Sequence, residues 1–277
     1  MLPGFVIGLR EGLEAALIMG IVLGILRRIG RPEQGRQVWA GVFSAIVVSV
    51  AAGILLGRLG VAFEGRAEQI FEGLTMLAAA GVLTWMIFWM RRQGRQTNSA
   101  LEQSTLEALA TGANRMLFGL AFVAVVREGL ETALFLTAAA FNASSSQILL
   151  GAIAGLALAT LLGWAIYAGG KRLNLRAFFG ATGLLLLLFA AGLLAHGVHE
   201  LQEAAILPVA LEQLWDLRPI LSEESGLGTV LKTLFGYNAN PSLLEVLAYG
   251  AYITIVVVAL ITGSRRPLRM HIPALDA

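Results

Sequence analysis

The sequence predicts an all-α, polytopic membrane protein: seven transmembrane helices built as two inverted three-helix repeats plus one extra helix. Three observations predict it. The chain is too apolar for water, its apolar stretches have the length of membrane spans, and one charged motif occurs twice at matching depth. Of its 277 residues, 57% are hydrophobic and only 14% charged, with a mean hydropathy of +0.76. Soluble chains carry roughly 25% charge. This balance excludes a disordered chain, a nucleic-acid-binding domain and an ordinary soluble enzyme.

About 20 apolar residues are needed to cross the hydrocarbon core as helix. Seven stretches qualify: Leu2–Leu26, Val38–Gly57, Ile70–Met90, Met116–Phe141, Ile148–Ala168, Ala177–Ala195 and Leu243–Ile261. Strand-type alternation is absent, which excludes a β-barrel. The first stretch lacks a basic n-region and contains Arg10, Glu11 and Glu14, so it is expected to be a span and not a cleaved signal peptide. The expected organisation is one membrane domain, residues 1–277. Residues 1–90 form the first repeat, 91–115 a cytoplasmic linker and 116–195 the second repeat. Residues 196–242 form an outer, periplasmic loop, and 243–277 the seventh helix with a cytoplasmic tail.

Basic residues set the orientation. Arg27, Arg28, Arg31 and Arg36 follow span one, and Arg91, Arg92, Arg95 and Arg115 follow span three. Lys171, Arg172 and Arg176 follow span five, and Arg265, Arg266 and Arg269 follow span seven. The opposite side has only Arg58, Arg66, Arg218 and Lys232. The N-terminus is therefore expected outside and the C-terminus in the cytoplasm of a cell inner membrane. Carboxylates lean the other way, from Glu64 and Glu68 to Glu223, Glu224 and Glu245 on the outer side. An outer face of that sign attracts cations, although solvation of a long loop accounts for most of these residues equally well.

Arg10-Glu11-Gly12-Leu13-Glu14-Ala15-Ala16-Leu17 returns as Arg127-Glu128-Gly129-Leu130-Glu131-Thr132-Ala133-Leu134, matching at seven of eight positions across 117 residues. Leu77–Leu83 echoes Leu188–Leu194 in the same order. A duplicated unit of three spans is odd-numbered, so its copies enter the membrane from opposite sides. Many secondary transporters are built that way, with their sites near the midplane.

Both motifs fall near mid-bilayer. At about 100° per residue, Arg10, Glu11 and Glu14 lie at 0°, 100° and 40°, one sector of the helix. Burying three such groups costs about 7–10 kcal/mol before pairing, at about 2.5–3.5 kcal/mol each. An ion pair that merely fixes helix packing accounts for one Arg and one Glu per motif. The second carboxylate is left without a cation, and embedded ionisable groups are functional by default. Together the motifs set Glu11, Glu14, Glu128 and Glu131 against Arg10 and Arg127, a surplus of two negative charges that a multivalent cation offsets. Cysteine is absent and only His196, His199 and His271 are present, which excludes thiolate and histidine-cage metal sites. Carboxylate oxygens suit hard metal ions. They do not by themselves separate Fe3+ from Mn2+, Mg2+ or Ca2+.

At these residues the chain resembles the oxidase-dependent iron permease family, the high-affinity iron transporters of fungi and bacteria. Their hallmark is Arg-Glu-x-x-Glu in the first and fourth transmembrane helices, complete here at Arg10–Glu14 and Arg127–Glu131. The resemblance covers essentially the whole chain. It implies a transporter and not an enzyme, without a prosthetic group, carrying Fe3+ or Fe2+ as substrate. Glu11, Glu14, Glu128 and Glu131 would then hold the metal, with Arg10 and Arg127 supporting them. It also implies a periplasmic iron-binding protein, a peroxidase or a multicopper ferroxidase as partner, beside membrane lipid. Two rival readings stand: a proton-coupled transporter of another divalent cation such as Mn2+, and a non-transporting subunit that senses iron or anchors an oxidase.

Further pathway candidates lie outward. Glu64, Glu68 and Glu72 are spaced i, i+4, i+8 at the outer end of span three, with Glu72 deepest. His199, Glu200 and Glu203 close span six and resemble the outer Glu-x-x-Glu element of that family, although a polar helix end accounts for them equally well. The missing second His excludes a zincin motif. Between Pro208 and Pro241, amphipathic pieces are expected on the membrane surface or over the outer mouth. Small-residue ladders such as Gly4-Gly8-Gly12 and Gly151-Gly155 suit close helix contact, within one chain or in a homo-oligomer. Met76, Met86 and Met90 read as packing.

Overall fold

The structure is a computed structural model that describes residues 1–93, 114–168, 174–209, 211–223 and 225–263. Most of the predicted linker 91–115, the tail beyond residue 263 and several basic residues that set the predicted orientation lie outside the described residues. All regular structure among the described residues is helical. Seven helices are long: α1 (Leu2–Arg28), α2 (Gly35–Ala62), α3 (Arg66–Gln93), α4 (Asn114–Phe141), α5 (Ser145–Tyr167), α6 (Leu175–Glu203) and α8 (Leu243–Gly263). A ten-residue helix, α7 (Gly226–Phe235), lies between the last two.

By length and composition, five described helices can cross a membrane: α2, α3, α5, α6 and α8. The other two long helices, α1 and α4, each carry one Arg and two Glu mid-helix, so the motif charges themselves interrupt their apolar runs. Large apolar side chains are exposed along α2 (Trp39, Phe43, Val47, Val50), α5 (Leu149, Ile153, Trp164) and α8 (Leu247, Ile255, Val258). Surfaces of that extent need lipid or protein against them.

Local sequence explains the helix ends. Pro3 sits in the first turn of α1, where no N–H is required, and Arg27 and Arg28 complement the dipole in its last turn. The Asn174 side chain caps α6 by accepting from Ala177 N at 3.1 Å. Helix α6 continues through His196 to Glu203, well past the predicted end of span six. In α7, Ser225 Oγ accepts from Gly228 N at 3.0 Å, and Gly236 ends the helix at φ +68°. Gly236 is also pressed backbone to backbone against Gly192 of α6, so no other residue fits there. This pins α7 over the end of the bundle where α6 ends.

The tightest packing joins distant parts of the chain: α1 lies along α5, α2 along α4 and α3 along α6. Along the first seam Gly4 meets Ile148, Gly8 meets Ala152 and Gly12 meets Ala159. Gly41 meets Phe118 and Gly53 meets Ala133 along the second. Both seams are therefore parallel. Two apolar cores result. One joins α3, α4 and α6 through Met76, Leu83, Phe135, Leu186 and Ala190, the other α1, α2 and α4 through Val22, Leu26, Val38, Ala45 and Ala121.

Candidate functional site

The two charged motifs meet where α1 and α4 touch. Glu11, Glu128 and Glu131 each bring a carboxylate oxygen to within 4.8 Å of the others, and all three residues are buried. Each has its Oε2 without a hydrogen-bond donor. Oxygens so spaced repel one another, yet metal–oxygen distances of about 2.0–2.6 Å fit between them. Glu14 stands outside this trio, with Oε1 3.0 Å from Arg10 Nη2.

The arginines differ. Arg10 is 1% exposed and donates from Nη1 to Glu11 Oε1 at 2.6 Å. It also donates to sulfur, from Nη1 to Met86 Sδ at 3.4 Å and from Nη2 to Met90 Sδ at 2.9 Å. Arg127 is partly exposed and donates from Nε to Glu131 Oε1 at 3.0 Å, while Glu128 Oε1 is 4.0 Å away. Its Cζ lies 4.9 Å from the Trp89 ring centroid and 6.0 Å from that of Trp85. With four carboxylates against two guanidinium groups, the site keeps spare acceptor oxygens that the packing leaves unfilled.

The outer candidates form a separate cluster. His199 Nε2 is 3.2 Å from Glu203 Oε1, and its Nδ1 is 3.0 Å from Glu245 Oε1. Gln69 Nε2 of α3 donates to Glu203 Oε2 at 2.9 Å. Glu200 is half-buried, and Glu72, also half-buried, feels the charges of Glu200 and Glu68. Glu72, His199, Glu200 and Glu203 thus share the end of the α3–α6 pair where α3 begins and α6 finishes, apart from the motif carboxylates.

Glu245 was expected among the solvated outer carboxylates. It is instead 3% exposed, accepting also from Ser242 N at 3.1 Å and Asn238 Nδ2 at 2.8 Å. Ser242 Oγ donates to Gln202 Oε1 at 2.7 Å, so the start of α8 is clasped to the end of α6. Farther out, burial raises the Glu223 carboxyl, but the Lys232 ammonium at 2.6 Å and the Ala239 N–H outweigh it and hold it below the usual range. Hydrogen bonds from the Arg218 side chain and N–H bring Asp216 to about 2. The contacts of Met86, Met90, Trp85 and Trp89 with the arginines were not legible in sequence, where these residues look like ordinary apolar filling.

Apolar helices that bury ionisable side chains in their interior mark an integral membrane protein, and the proteins this chain is similar to are permeases, transporters and not enzymes. Residues 1–266 match the iron permease FTR1 family, and the chain belongs to it. It is 38% identical over 267 residues to the ferrous iron permease EfeU of Escherichia coli (strain UTI89 / UPEC), spanning 96% of this chain and 97% of that one. The same-named protein of Shigella sonnei (strain Ss046) is 39% identical over 261 residues, 94% and 95% of the two chains. That of Yersinia pestis is 38% identical over 255 residues, 91% and 90%. No solved structure matches.

Proposed function

We propose that the protein moves Fe2+ into the cell across the cytoplasmic membrane through the carboxylates of its two Arg-Glu-x-x-Glu motifs. The observation that carries this reading is the trio of Glu11, Glu128 and Glu131, whose oxygens come from both motifs and lie within 4.8 Å of one another. The ferrous assignment follows the names of the relatives. Iron gathers at the outer carboxylates, with Glu72, His199, Glu200 and Glu203 along its path, and passes to the motif site. There Glu11, Glu128 and Glu131 take it, Glu14 takes over as Arg10 turns away, and release is to the cytoplasmic side. Arg10 and Arg127 keep the carboxylates charged and oriented while no iron is bound.

An inverted repeat of residues 1–90 and 116–195 frames this path, and the seams support it. A Cβ on Gly41 would lie 2.5 Å from Phe118 O and 3.1 Å from Phe122 N. A Cβ on Gly151 would collide with Met1 O and lie 2.9 Å from Phe5 N. Phe118 and Phe122 stand 117 residues after Met1 and Phe5, the same separation as the motifs. Gly12 against Ala159 is matched likewise by Gly129 against Ser49. Helix α5 runs parallel to α1 and folds back from α4 through residues 142–144, so α1 and α4 point in opposite directions. This geometry favours exchange of access between the two sides over a fixed pore. The orientation with the N-terminus outside rests on the basic residues after α1 and α3.

Uptake of radiolabelled Fe2+ into liposomes holding the purified protein tests the reading, with Fe3+-citrate and Mn2+ in parallel. Fe2+ uptake by the unaltered chain and its loss in Glu14→Ala and Glu131→Ala are expected. Normal uptake by either variant removes the motifs from the path. Preference for Mn2+ turns the reading to another divalent cation, and absence of any flux turns it to a non-transporting subunit.

A further inference from the structure

Helix α3 presents a run that iron coordination leaves idle: Trp85, Met86, Trp89 and Met90. Spaced i, i+1, i+4 and i+5, they make two side-chain pairs on adjoining faces of one helix. The Met86 and Met90 sulfurs both accept from the Arg10 guanidinium. Trp85 and Trp89 stack with ring centroids 6.1 Å apart, and the Arg127 guanidinium lies over both rings. Each motif arginine is thus held twice, by its own glutamates and by a different pair on the same two turns of α3.

We propose that this stretch of α3 is the resting place of both guanidinium groups when a metal ion occupies the carboxylates, which makes Trp85, Met86, Trp89 and Met90 positioning residues for transport. The proposal rests on the reading of the four glutamates as the iron path. A cation that takes both oxygens of Glu11 or Glu131 needs the arginines to give up the Oε1 atoms they now hold. Arg10 is 1% exposed and cannot retreat into water, and a buried guanidinium stripped of partners is heavily penalised. Thioether sulfur is a weak, polarizable acceptor, and an indole face attracts a cation without trapping it. A carboxylate in their place would lock the arginine and add charge to the site. Soft, weak partners let the guanidinium leave and return. Since both rests belong to one helix, a shift of α3 moves both arginines together and couples the two motifs.

The test is Fe2+ uptake by proteoliposomes bearing Met86→Leu/Met90→Leu, Trp89→Leu and Trp89→Phe. Leucine keeps volume and apolarity. Correct folding is checked by monodispersity in detergent, and Met90→Leu alone replaces the double variant should that one aggregate. The expected result is a rise of roughly tenfold in apparent KM for the Met and Trp89→Leu variants, equivalent to about 1.4 kcal/mol, with the maximal rate retained. Trp89→Phe, which keeps a ring face, restores most of the loss. In an Arg10→Gln background the methionine substitutions leave Fe2+ binding by equilibrium dialysis unchanged, because no guanidinium remains to be rested. An unchanged KM in the Met variants, or an effect that persists in the Arg10→Gln background, overturns the proposal. Failure of the underlying reading shows differently, as wild-type uptake by Glu128→Gln whatever the α3 variants do.

Discussion

Replacing Glu128 by Gln should stabilise the protein and silence it at once. Glu128 is the worst-paired carboxylate of the site, 4.0 Å from Arg127 Nε, with its Oε2 undonated. Its ligand oxygen lies within 4.8 Å of those of Glu11 and Glu131. At an effective dielectric of about 20, each such repulsion costs about 3.5 kcal/mol, and the attraction to Arg127 returns about 4 kcal/mol. Arg10 acts from farther away and trims the relief, leaving about 2 kcal/mol gained when the charge is removed with shape intact. For a chain of this size that corresponds to a rise in Tm of roughly 5 °C. The assay is thermal unfolding in detergent followed by tryptophan fluorescence, with and without Fe2+, beside uptake in liposomes. The unaltered protein should gain about 2.7 kcal/mol at a ligand concentration one hundred times Kd; Glu128→Gln should gain nothing from Fe2+ and transport none. A lowered Tm together with full Fe2+ uptake would refute the reasoning, because it would make Glu128 a structural ion-pair partner.

Three further outcomes follow from the geometry. Gly41→Val and Gly151→Val should impair assembly to a similar degree, since each pushes a side chain into backbone across an equivalent seam; yield and monodispersity in detergent check this, and tolerance of one but not the other contradicts the equivalence. Glu245→Ala should loosen the outer end of α8 by about 2–3 kcal/mol, the worth of hydrogen bonds to a charged acceptor, read as faster hydrogen exchange over residues 243–250. The Glu223–Lys232 tie should be pH-sensitive. The folded carboxyl is held below its usual 4.5, so its contribution is complete above that value and is lost as pH falls through the folded one. Proteolysis of residues 216–240 should therefore accelerate on acidification below about pH 4.5, and Glu223→Gln should remove the dependence.

Much of the fold was legible because hydropathy and helical period are local properties. The seven apolar stretches coincide with long helices to within a few residues at most ends, and in the angular sector shared by Arg10, Glu11 and Glu14 the first two are buried as expected and Glu14 half-buried. Period alone, however, says which face of a helix is buried and not what covers it. The convergence of Glu11 with Glu128 and Glu131, but not Glu14, depends on how α1 crosses α4, which no local pattern encodes. Glu245 looked solvated because its partners, His199 and Asn238, are distant or unremarkable in sequence. Met86 and Met90 looked like filling because a thioether is apolar until a buried guanidinium is brought against it. The continuation of α6 to Glu203 was missed for the opposite reason: the polar residues after Ala195 end an apolar run without ending the helix.

The pairing of α1 with α5 and of α2 with α4 also governs how the molecule is made. Helix α1 scarcely touches α2, and its seam partner is not synthesised until Ala152 and its neighbours leave the ribosome. At 5–20 residues per second that interval is roughly six to thirty seconds. Through most of it, Arg10, Glu11 and Glu14 wait in the first helix without the second motif, which is complete only when Glu131 has been made, and at first without Met86 as well. The ion pairs of Arg10 with Glu11 and Glu14, both closed within one turn of α1, are the neutralising contacts the first helix carries with it from the start. On the proposed function, the arginine assigned to hold the finished site in readiness is thus also the escort of its own carboxylates during biogenesis.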